Sequence, residues 1–500
     1  MEFHELLYGA EYLAQQGNPD IAGLDYDSRR VKPGWCFVAM RGETTDGNHY
    51  IDAALAAGAV AVVSDSVPPR GDIPWAQVTH GRRALARLSA NFYGRPAEKL
   101  SITGITGTNG KTTTSFLLDA MLRAGGRKSA LVGTVEYRIE DEILPAPHTT
   151  PEALELNQFF ARAVEAGCME SVMEVSSHAL EQQRVFGVPF DVAVFTNLTR
   201  DHLDYHRDMD AYFASKALLF AGEGTEPPRV AVINTEDDYG RRLIKACEKR
   251  QEVVTYGIEA GDFHAKNLSI EAKGTRFDMV TPWGELAIWT PLVGRVNVYN
   301  ILAAAAAAFA RNIDAHSIVN AVYQLNRVPG RFERVDAGQP FAVIVDYAHT
   351  DDALRNLTAV ARDFLKQRGG MGRIITVFGC GGDRDRSKRP LMGEAAGAGS
   401  DFVVLTSDNP RSESPLDIIN DALPGLQRSG TRYALEPDRR KAIVLAIAEA
   451  GPGDIVLIAG KGHEKVQVAG GRTVPFDDIE EARDALRAAG YGVPEAKAAR

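Results

Sequence analysis

The chain has 500 residues, 45% of them hydrophobic and 24% charged, with a formal net charge of -10. That length points to about three domains with buried cores, and the acidic balance argues against nucleic acid or an anionic membrane as the main partner. The four cysteines, Cys36, Cys168, Cys247 and Cys380, are scattered without C-x-x-C spacing, which speaks against a zinc site or a disulfide framework.

The N-terminal stretch "MEFHELLYGAEYLAQQGNPD" is acidic and lacks an apolar signal core, and no apolar run reaches spanning length. We therefore expect a cytoplasmic protein with no membrane insertion. Up to about residue 97, short apolar runs ("CFVAM", "AVAVVSD") alternate with polar loops, and "NFYGRPAEKL" reads as a linker. Strand-like runs then alternate with helical patterns to about Pro329: "SITGITG", "SALVGT", "ESVMEVSS", "DVAVFTNLT" and "RVAVINTED". After "NRVPGRFE" the pattern restarts with "FAVIVDYAHT", "RIITVFGCGGDRD", "DFVVLTSDNPR" and "DIVLIAGKGHE". Continuous apolar strands alternating with helices predict mostly parallel sheets covered on both faces. Each strand of the second series ends in a polar or glycine-rich loop, and ligands of open α/β sheets bind at such carboxyl ends.

The stretch "GITGTNGKTTT" lies between an apolar strand and a helical pattern, the context that a phosphate loop requires. The first glycine of the usual template is missing, because Ile105 fills its slot and glycines stand at Gly104 and Gly107. We take the first glycine as displaced upstream to Gly104. Residues Gly107, Thr108, Asn109, Gly110, Lys111, Thr112 and Thr113 then form the ATP cradle, with backbone N–H groups and a helix N-terminus facing the phosphates. Lys111 reaches the β/γ-phosphates and Thr112 is placed to ligate Mg²⁺. No N-K-x-D element supports guanine.

Downstream, "MEVSSHALEQQR" ends a strand at Glu174, a carboxylate suited to Mg²⁺. "FTNLTRDHLDYH" ends another in Asp201, His202, Asp204 and His206, which by spacing alone is equally a polar loop. Lys216 sits among apolar neighbours in "DMDAYFASKALLF" and, by pattern alone, reads as a snorkelling surface residue.

Together with "YFASKALLF", "GRVNVYNILAA", "VPGRFE", "DYAHT", "GCGGDRD", "SDNPR" and "AGKGHE", these stretches resemble, in order and over essentially the whole chain, the Mur ligase superfamily. Those ATP-dependent enzymes extend the peptide of peptidoglycan precursors, and the diaminopimelate-adding branch is the nearest match. The resemblance implies an α/β protein of three domains. Residues 1–97 would form a smaller α/β UDP-sugar-binding domain. Residues 98–330 would form the central phosphate-loop ATPase domain with a mostly parallel sheet, and residues 331–500 a Rossmann-like amino-acid-binding domain.

The resemblance also implies residue roles. Thr112, Glu174 and His202 would surround Mg²⁺, joined by Lys216 as a carbamate, which reverses the surface reading of that lysine; Lys111, Glu174, His202 and Lys216 would be catalytic. Asn300, Arg331 and Asp346 would contact ATP. Tyr26, Ser28, Glu43, Thr44, Thr45, His148, Thr149, Thr150, Ser176, Gln182 and Arg184 would hold UDP-N-acetylmuramoyl-L-Ala-D-Glu. Arg384, Asp408, Asn409, Pro410, Arg411, Gly460 and Glu464 would receive meso-diaminopimelate. The implied chain is a monomer with ATP as co-substrate and no nucleic-acid partner.

Diaminopimelate differs from lysine by a carboxylate beside the distal amine, which the Arg411 guanidinium fork matches. Lysine would leave that fork without its partner, a loss of about 1.5–3 kcal/mol. Taken alone, "DNPR" also admits a surface turn capped by Asn-Pro, an alternative that the neighbouring motifs weigh against. Lysine-adding relatives, folylpolyglutamate and cyanophycin synthetases, and phosphate-loop switches or motors are the competing readings.

Overall fold

The computed structural model describes residues 1–42, 45–66, 73–271, 273–367 and 369–492. Sheets follow one another along the chain. The first orders its strands Tyr12–Gln16, Trp75–Val78, Ala61–Ser64, Trp35–Ala39 and Gly23–Asp25, with only the first pair antiparallel. Its core includes Phe3, Val38 and Leu85 and continues into Ala153 and Leu154 of the following region. The expected linker is more regular than its composition suggests. Helix Gly81–Phe92 runs into it, Arg95 turns the chain in the left-handed region, and Pro96–Lys99 closes a 3₁₀ turn.

The central sheet has eight strands, with Ser101–Thr106 between Phe190–Phe195 and Glu170–Glu174. It is parallel except for the edge hairpin Tyr137–Ile139 and Glu142–Leu144. Helices Lys111–Ala124, Arg295–Ala310 and Ala315–Gln324 cover one face. The alanine run Ala303–Ala308 is fully buried there. Methyl side chains let that helix approach its neighbours closely while keeping high helix propensity.

Gly104 is not the displaced first glycine of the phosphate loop. It lies inside strand Ser101–Thr106, paired with Met173 and Ala193. A Cβ there would stand 2.8 Å from the Phe190 ring and 3.1 Å from Leu219. Its role is close packing of the strand's covered face.

A three-stranded antiparallel sheet, His264–Glu271, Gly274–Thr281 and Gly284–Thr290, was not legible beforehand. Its strands alternate buried and exposed residues and carry few continuous apolar runs. The last large sheet runs Glu333–Val335, Ala342–Asp346, Ile455–Ala459, Ile374–Cys380, Phe402–Ser407 and Arg432–Leu435, parallel apart from the first pair. Helices Asp351–Gln367, Lys388–Gly399 and Pro415–Arg428 cover one face, and Arg439–Glu449 and Asp478–Ala488 the other. The nine strands anticipated from apolar runs between Ser101 and Ala459 are all present. Among the described residues no helix is long and apolar enough to cross a membrane.

Candidate active site

The chain leaves strand Ser101–Thr106 through Gly107 and Gly110, at φ 146° and 90°, and enters helix Lys111–Ala124. Both glycines are required. A Cβ on Gly107 would lie 1.8 Å from Thr196 Oγ1, and one on Gly110 would lie 2.5 Å from Asn300 Oδ1. Asn197 Oδ1 accepts from the Asn109 N–H at 2.9 Å, and Thr196 donates to the Asn109 carbonyl at 2.7 Å. The loop is thus fixed by the end of the neighbouring strand. Thr108 donates to the Thr199 carbonyl, and Thr113, in the first turn of the helix, is buried.

Two lysines converge on this loop. Lys111 Nζ donates to the Gly107 and Thr108 carbonyls, both at 2.9 Å, and Lys216 Nζ donates to the Gly107 carbonyl at 2.9 Å. Lys216 is only 2% exposed and lies over the Tyr212 ring, so the surface reading of its pattern is wrong. Helix Met209–Ala221 turns it inward because Tyr212, Ser215, Leu219 and Phe220 share its buried side. Burial, reinforced by the Lys111 charge, pushes the Lys216 amine well below its ordinary range. Burial also lowers Lys111, against the pull of Glu174.

Opposite the lysines, Glu174 is fully buried at the end of its strand. Its carboxylate accepts from Thr112 Oγ1 at 3.1 Å, the Thr134 N–H at 2.8 Å and Thr134 Oγ1 at 2.9 Å. Arg331 Nη2 donates to Thr112 Oγ1 at 3.0 Å. Mg²⁺ takes oxygen ligands and keeps several waters. The Thr112 hydroxyl and Glu174 carboxylate, two hard oxygens beside a phosphate loop, fit such an ion. Among the described residues, no group of three or more His, Cys, Asp and Glu side chains forms a metal cage.

His202 has a left-handed backbone, φ 55°, and its ring packs edge-on against His178. Burial, with the nearby His178 and Lys216 charges, holds it neutral down to about pH 3 although Asp201 pulls upward. Burial would raise Asp201, but His202, Lys388 and His349 outweigh it and hold that carboxylate below its ordinary range. Lys388 Nζ is 3.6 Å and His349 Nε2 3.9 Å from Asp201. Asp204 is exposed and takes no part in this cluster, while His206 is buried against Ser177 Oγ at 2.9 Å.

A cavity of about 780 Å³ lies between the central and C-terminal sheets, lined by the phosphate loop, Glu174, His202, Asn300, Arg331 and Asp346. Asn300 accepts from Thr114 Oγ1 at 3.4 Å. Asp346 accepts from the Phe332 and Ala348 N–H groups at 2.7 and 2.8 Å; burial raises its pKa and Arg331 opposes this. Asp352 Oδ2 accepts from Asn109 Nδ2 at 2.8 Å, bonding the C-terminal region to the loop tip. Asp352, His349 and Lys388 were missed in the sequence, because each stands in a loop or helix start with no spacing of its own.

Thr149, Thr150, Ser176, Gln182 and Arg184 gather beside Glu174. Thr149 Oγ1 is 3.0 Å from Thr134 Oγ1, and Thr150 Oγ1 donates to the Glu174 carbonyl at 2.8 Å. The Ser176 N–H donates to Thr150 Oγ1 at 3.1 Å. Arg184 donates to the Thr150 carbonyl at 2.9 Å and to Gln182 Oε1 at 2.7 Å. The His148 side chain is exposed, and its carbonyl accepts from the Tyr137 hydroxyl at 2.5 Å. Tyr26 donates to Glu155 Oε1 at 3.1 Å and Ser28 is half-buried nearby in sequence, both outside the cavity lining. Thr45 is exposed, and its carbonyl accepts from the Gly42 N–H at 2.9 Å. Glu43 and Thr44 lie outside the described residues.

The loops after the four consecutive C-terminal strands do meet at one edge. The Gly382 N–H donates to the Asn409 carbonyl and the Gly460 N–H to the Asp346 carbonyl. Arg411, at φ 54°, donates from Nη1 to the Gly382 carbonyl at 2.6 Å. Burial and the neighbouring Arg384 lower its pKa. Its backbone is pinned by the hairpin Val466–Ala469/Arg472–Pro475, through Arg411 N–H to the Val468 carbonyl and Gly470 N–H to the Arg411 carbonyl. Pro410 accepts from the Glu413 N–H, and the Arg384 side chain is exposed. Asn409 donates to Glu464 Oε2 at 2.8 Å. Gly460, at φ 118°, leaves room for Asp408, whose Oδ2 would be 3.1 Å from a Cβ there. These residues lie beyond the cavity lining, joined to it through the Tyr347–His463 ring contact.

Comparisons with known proteins agree with this arrangement. The Mur ligase middle domain matches residues 105–308, the Mur ligase glutamate ligase domain residues 330–462, and the Mur ligase family catalytic domain residues 20–93. A UDP-N-acetylmuramoyl-L-alanyl-D-glutamate–2,6-diaminopimelate ligase of Solibacter usitatus is 53% identical over 474 residues, 94% of each chain. A protein of the same name from Geobacter metallireducens is 47% identical over 490 residues, again 94% of each. A solved structure with that name superimposes with a TM-score of 0.68 at 35% identity, covering 98% of this chain and 99% of that one. With a phosphate loop, a buried strand-end carboxylate and a facing C-terminal sheet in this order, the chain belongs to the Mur ligase family.

Proposed function

We propose that the protein is the ATP-dependent ligase that joins meso-diaminopimelate to the D-Glu γ-carboxylate of UDP-N-acetylmuramoyl-L-Ala-D-Glu during peptidoglycan synthesis. The observation that carries this reading is the facing of two sites. The phosphate loop and the loop that follows strand Ala342–Asp346 at the carboxyl edge of the C-terminal sheet meet across one cavity, with Arg331 bonded to Thr112 and Asp352 to Asn109. A nucleotide on the loop and an amine from the opposite edge would converge there.

In this reading a γ-carboxylate oxygen of the dipeptide attacks the γ-phosphorus, and ADP leaves with the bond electrons. The diaminopimelate amine then attacks the acyl carbon; phosphate departs and the amine loses its proton. Lys111, already at the loop, neutralises charge gathering on the transferred group. Thr112, Glu174, His202 and Lys216, the last as its carbamate, would hold Mg²⁺. When bound, the ion supplies further neutralisation of phosphate charge. A carbamate forms only when a neutral amine adds CO₂ and releases a proton, and burial of Lys216 favours that neutral amine.

Asn300, Arg331 and Asp346 are assigned to the nucleotide, and the Thr149–Thr150, Ser176, Gln182 and Arg184 group to the muramoyl dipeptide. Tyr26, Ser28 and Thr45 are assigned to the UDP end. Asp408, Asn409, Arg411, Gly460 and Glu464, with Arg384, receive diaminopimelate, within a 331–500 amino-acid domain following 1–97 and 98–330 units. The same reading makes the enzyme a cytoplasmic monomer. Phosphate release with the UDP-dipeptide present is the test, comparing diaminopimelate, lysine and no amine. Release should require diaminopimelate. Equal rates with lysine would overturn the substrate assignment, and amine-independent turnover would favour a nucleotide switch or motor.

A further inference from the structure

Lys461, between the two glycines of "AGKGHE", is fully buried at 0% exposure. Its ammonium donates to Glu464 Oε2 at 3.0 Å and to Asn409 Oδ1 at 3.1 Å, and stands 3.6 Å from Asp408 Oδ1. That Asp408 oxygen is buried and has no hydrogen-bond partner. Asn409 spends its amide on Glu464 and its oxygen on Lys461 and the Val468 N–H, which ties the cluster to the hairpin beside Arg411.

Two other buried cations beneath this edge, Arg389 and Arg439, are already neutralised. Arg389, which donates to the Gly381 carbonyl, pairs with Glu413 and Asp421 at 2.7 and 2.8 Å. Arg439 pairs with Asp478 at 2.7 Å, both fully buried. Charge on the Asp408–Glu464 side therefore sums to minus one: two carboxylates less the Lys461 ammonium. On the other side stand Arg411 and Arg384 with the Asp383 carboxylate near Arg411, a sum of plus one. A ligand bearing one ammonium and one carboxylate at the same carbon matches that division. Without Lys461, two carboxylates would face one ammonium, and one of them would be buried without a counter-charge.

We propose that Lys461 is a positioning residue that sets specificity. Its buried ammonium cancels one carboxylate and fixes Asp408, Asn409 and Glu464, so that the pocket accepts a zwitterionic amino-acid end. This rests on the assignment of that loop cluster to diaminopimelate. The test uses the full-length enzyme with steady-state kinetics for diaminopimelate and for ATP, beside melting curves. If the wild type fails to use diaminopimelate, the substrate assignment falls and not the role of Lys461. With an active wild type, Lys461→Met should raise the diaminopimelate KM at least tenfold while the ATP KM stays within twofold. Adding Glu464→Gln to that variant removes the excess charge and should bring the diaminopimelate KM back at least threefold. A diaminopimelate KM within twofold of wild type in Lys461→Met, or equal changes in both KM values, would overturn the proposal. Should Lys461→Met not fold, the double variant decides. A diaminopimelate KM within tenfold of wild type supports charge balance, and a larger rise or no folded protein overturns it.

Discussion

Lys216 shows how one residue can be misread from its neighbours. Its apolar flanks in "AYFASKALLF" fit a surface lysine with a covered stem, yet the ammonium ends at the Gly107 carbonyl beside Lys111. A buried amine between another lysine and a backbone oxygen is costly to keep charged, so its presence is a functional expense. Replacing it with methionine should therefore uncouple the two properties. Lys216→Met is expected to gain about 0.5–2 kcal/mol of stability, read as a higher melting temperature, and to lose ligation by roughly 100-fold or more, read as phosphate release. A variant that melts lower and ligates normally would remove Lys216 from the chemistry. Lys111 and Glu174 were legible because their type is specific: Gly-Lys-Thr before a helix and a glutamate ending an apolar strand need no neighbours to be recognised, whereas His202 stands in a polar loop and was reached only through the resemblance. Lys388 and Asp352 are not recognisable this way, since their partners lie 187 and 243 residues away in the chain, and Lys461 has Glu464 three residues on but Asn409 52 residues back.

At the scale of the element, the phosphate loop separates glycines for packing from glycines for backbone conformation. Gly104 belongs to the strand and faces Phe190, whereas Gly107 and Gly110 hold left-handed turns against Thr196 and Asn300. Gly104→Ala should overpack the helix–sheet contact and cost about 1–3 kcal/mol, lowering the denaturation midpoint with little change in the ATP KM. Gly107→Ala combines backbone strain with a clash into Thr196, so nucleotide binding measured by calorimetry should be lost. Equal effects of both substitutions on ATP binding would contradict this division. Apolar parallel strands were readable as continuous runs because both their faces are covered. The sheet spanning His264–Glu271 to Gly284–Thr290 was not, because it is half exposed and its alternation is broken by a register shift between Lys266 and Ser269.

Across the whole molecule, the junction between central and C-terminal sheets holds histidines whose pKa burial lowers, beside charged groups such as Arg331 and Asp201. His463 packs on Tyr347 and, through burial and the Arg331 charge, has its pKa lowered to about 4; burial likewise lowers His349 next to Asp201. A histidine with a depressed folded-state pKa binds its proton more readily in the unfolded chain. Stability is therefore intact above about pH 6.5 and falls as the pH drops toward 4 for His463. Each such group contributes up to about 1.4 kcal/mol per pH unit in that window. Denaturant titrations between pH 7 and 4 should show this loss, and His463→Gln should make it shallower, the remaining slope coming from the other buried histidines. A wild-type stability that stays level over that range would refute the linkage.

The sequence by itself determined the kind of chemistry and the presence of the continuous apolar strands of the two large parallel sheets. A phosphate loop, a strand-end carboxylate and apolar parallel strands are local patterns, set by what a short segment can do with its own backbone and side chains. Only the tertiary structure decided which of Gly104, Gly107 and Gly110 serves the loop, that Lys216 is inside, and that Asp201, Lys388 and His349 share one site. Those facts depend on segments far apart in sequence being brought within hydrogen-bond or Coulomb range, and burial, which sets their charge, exists only once both sheets have packed.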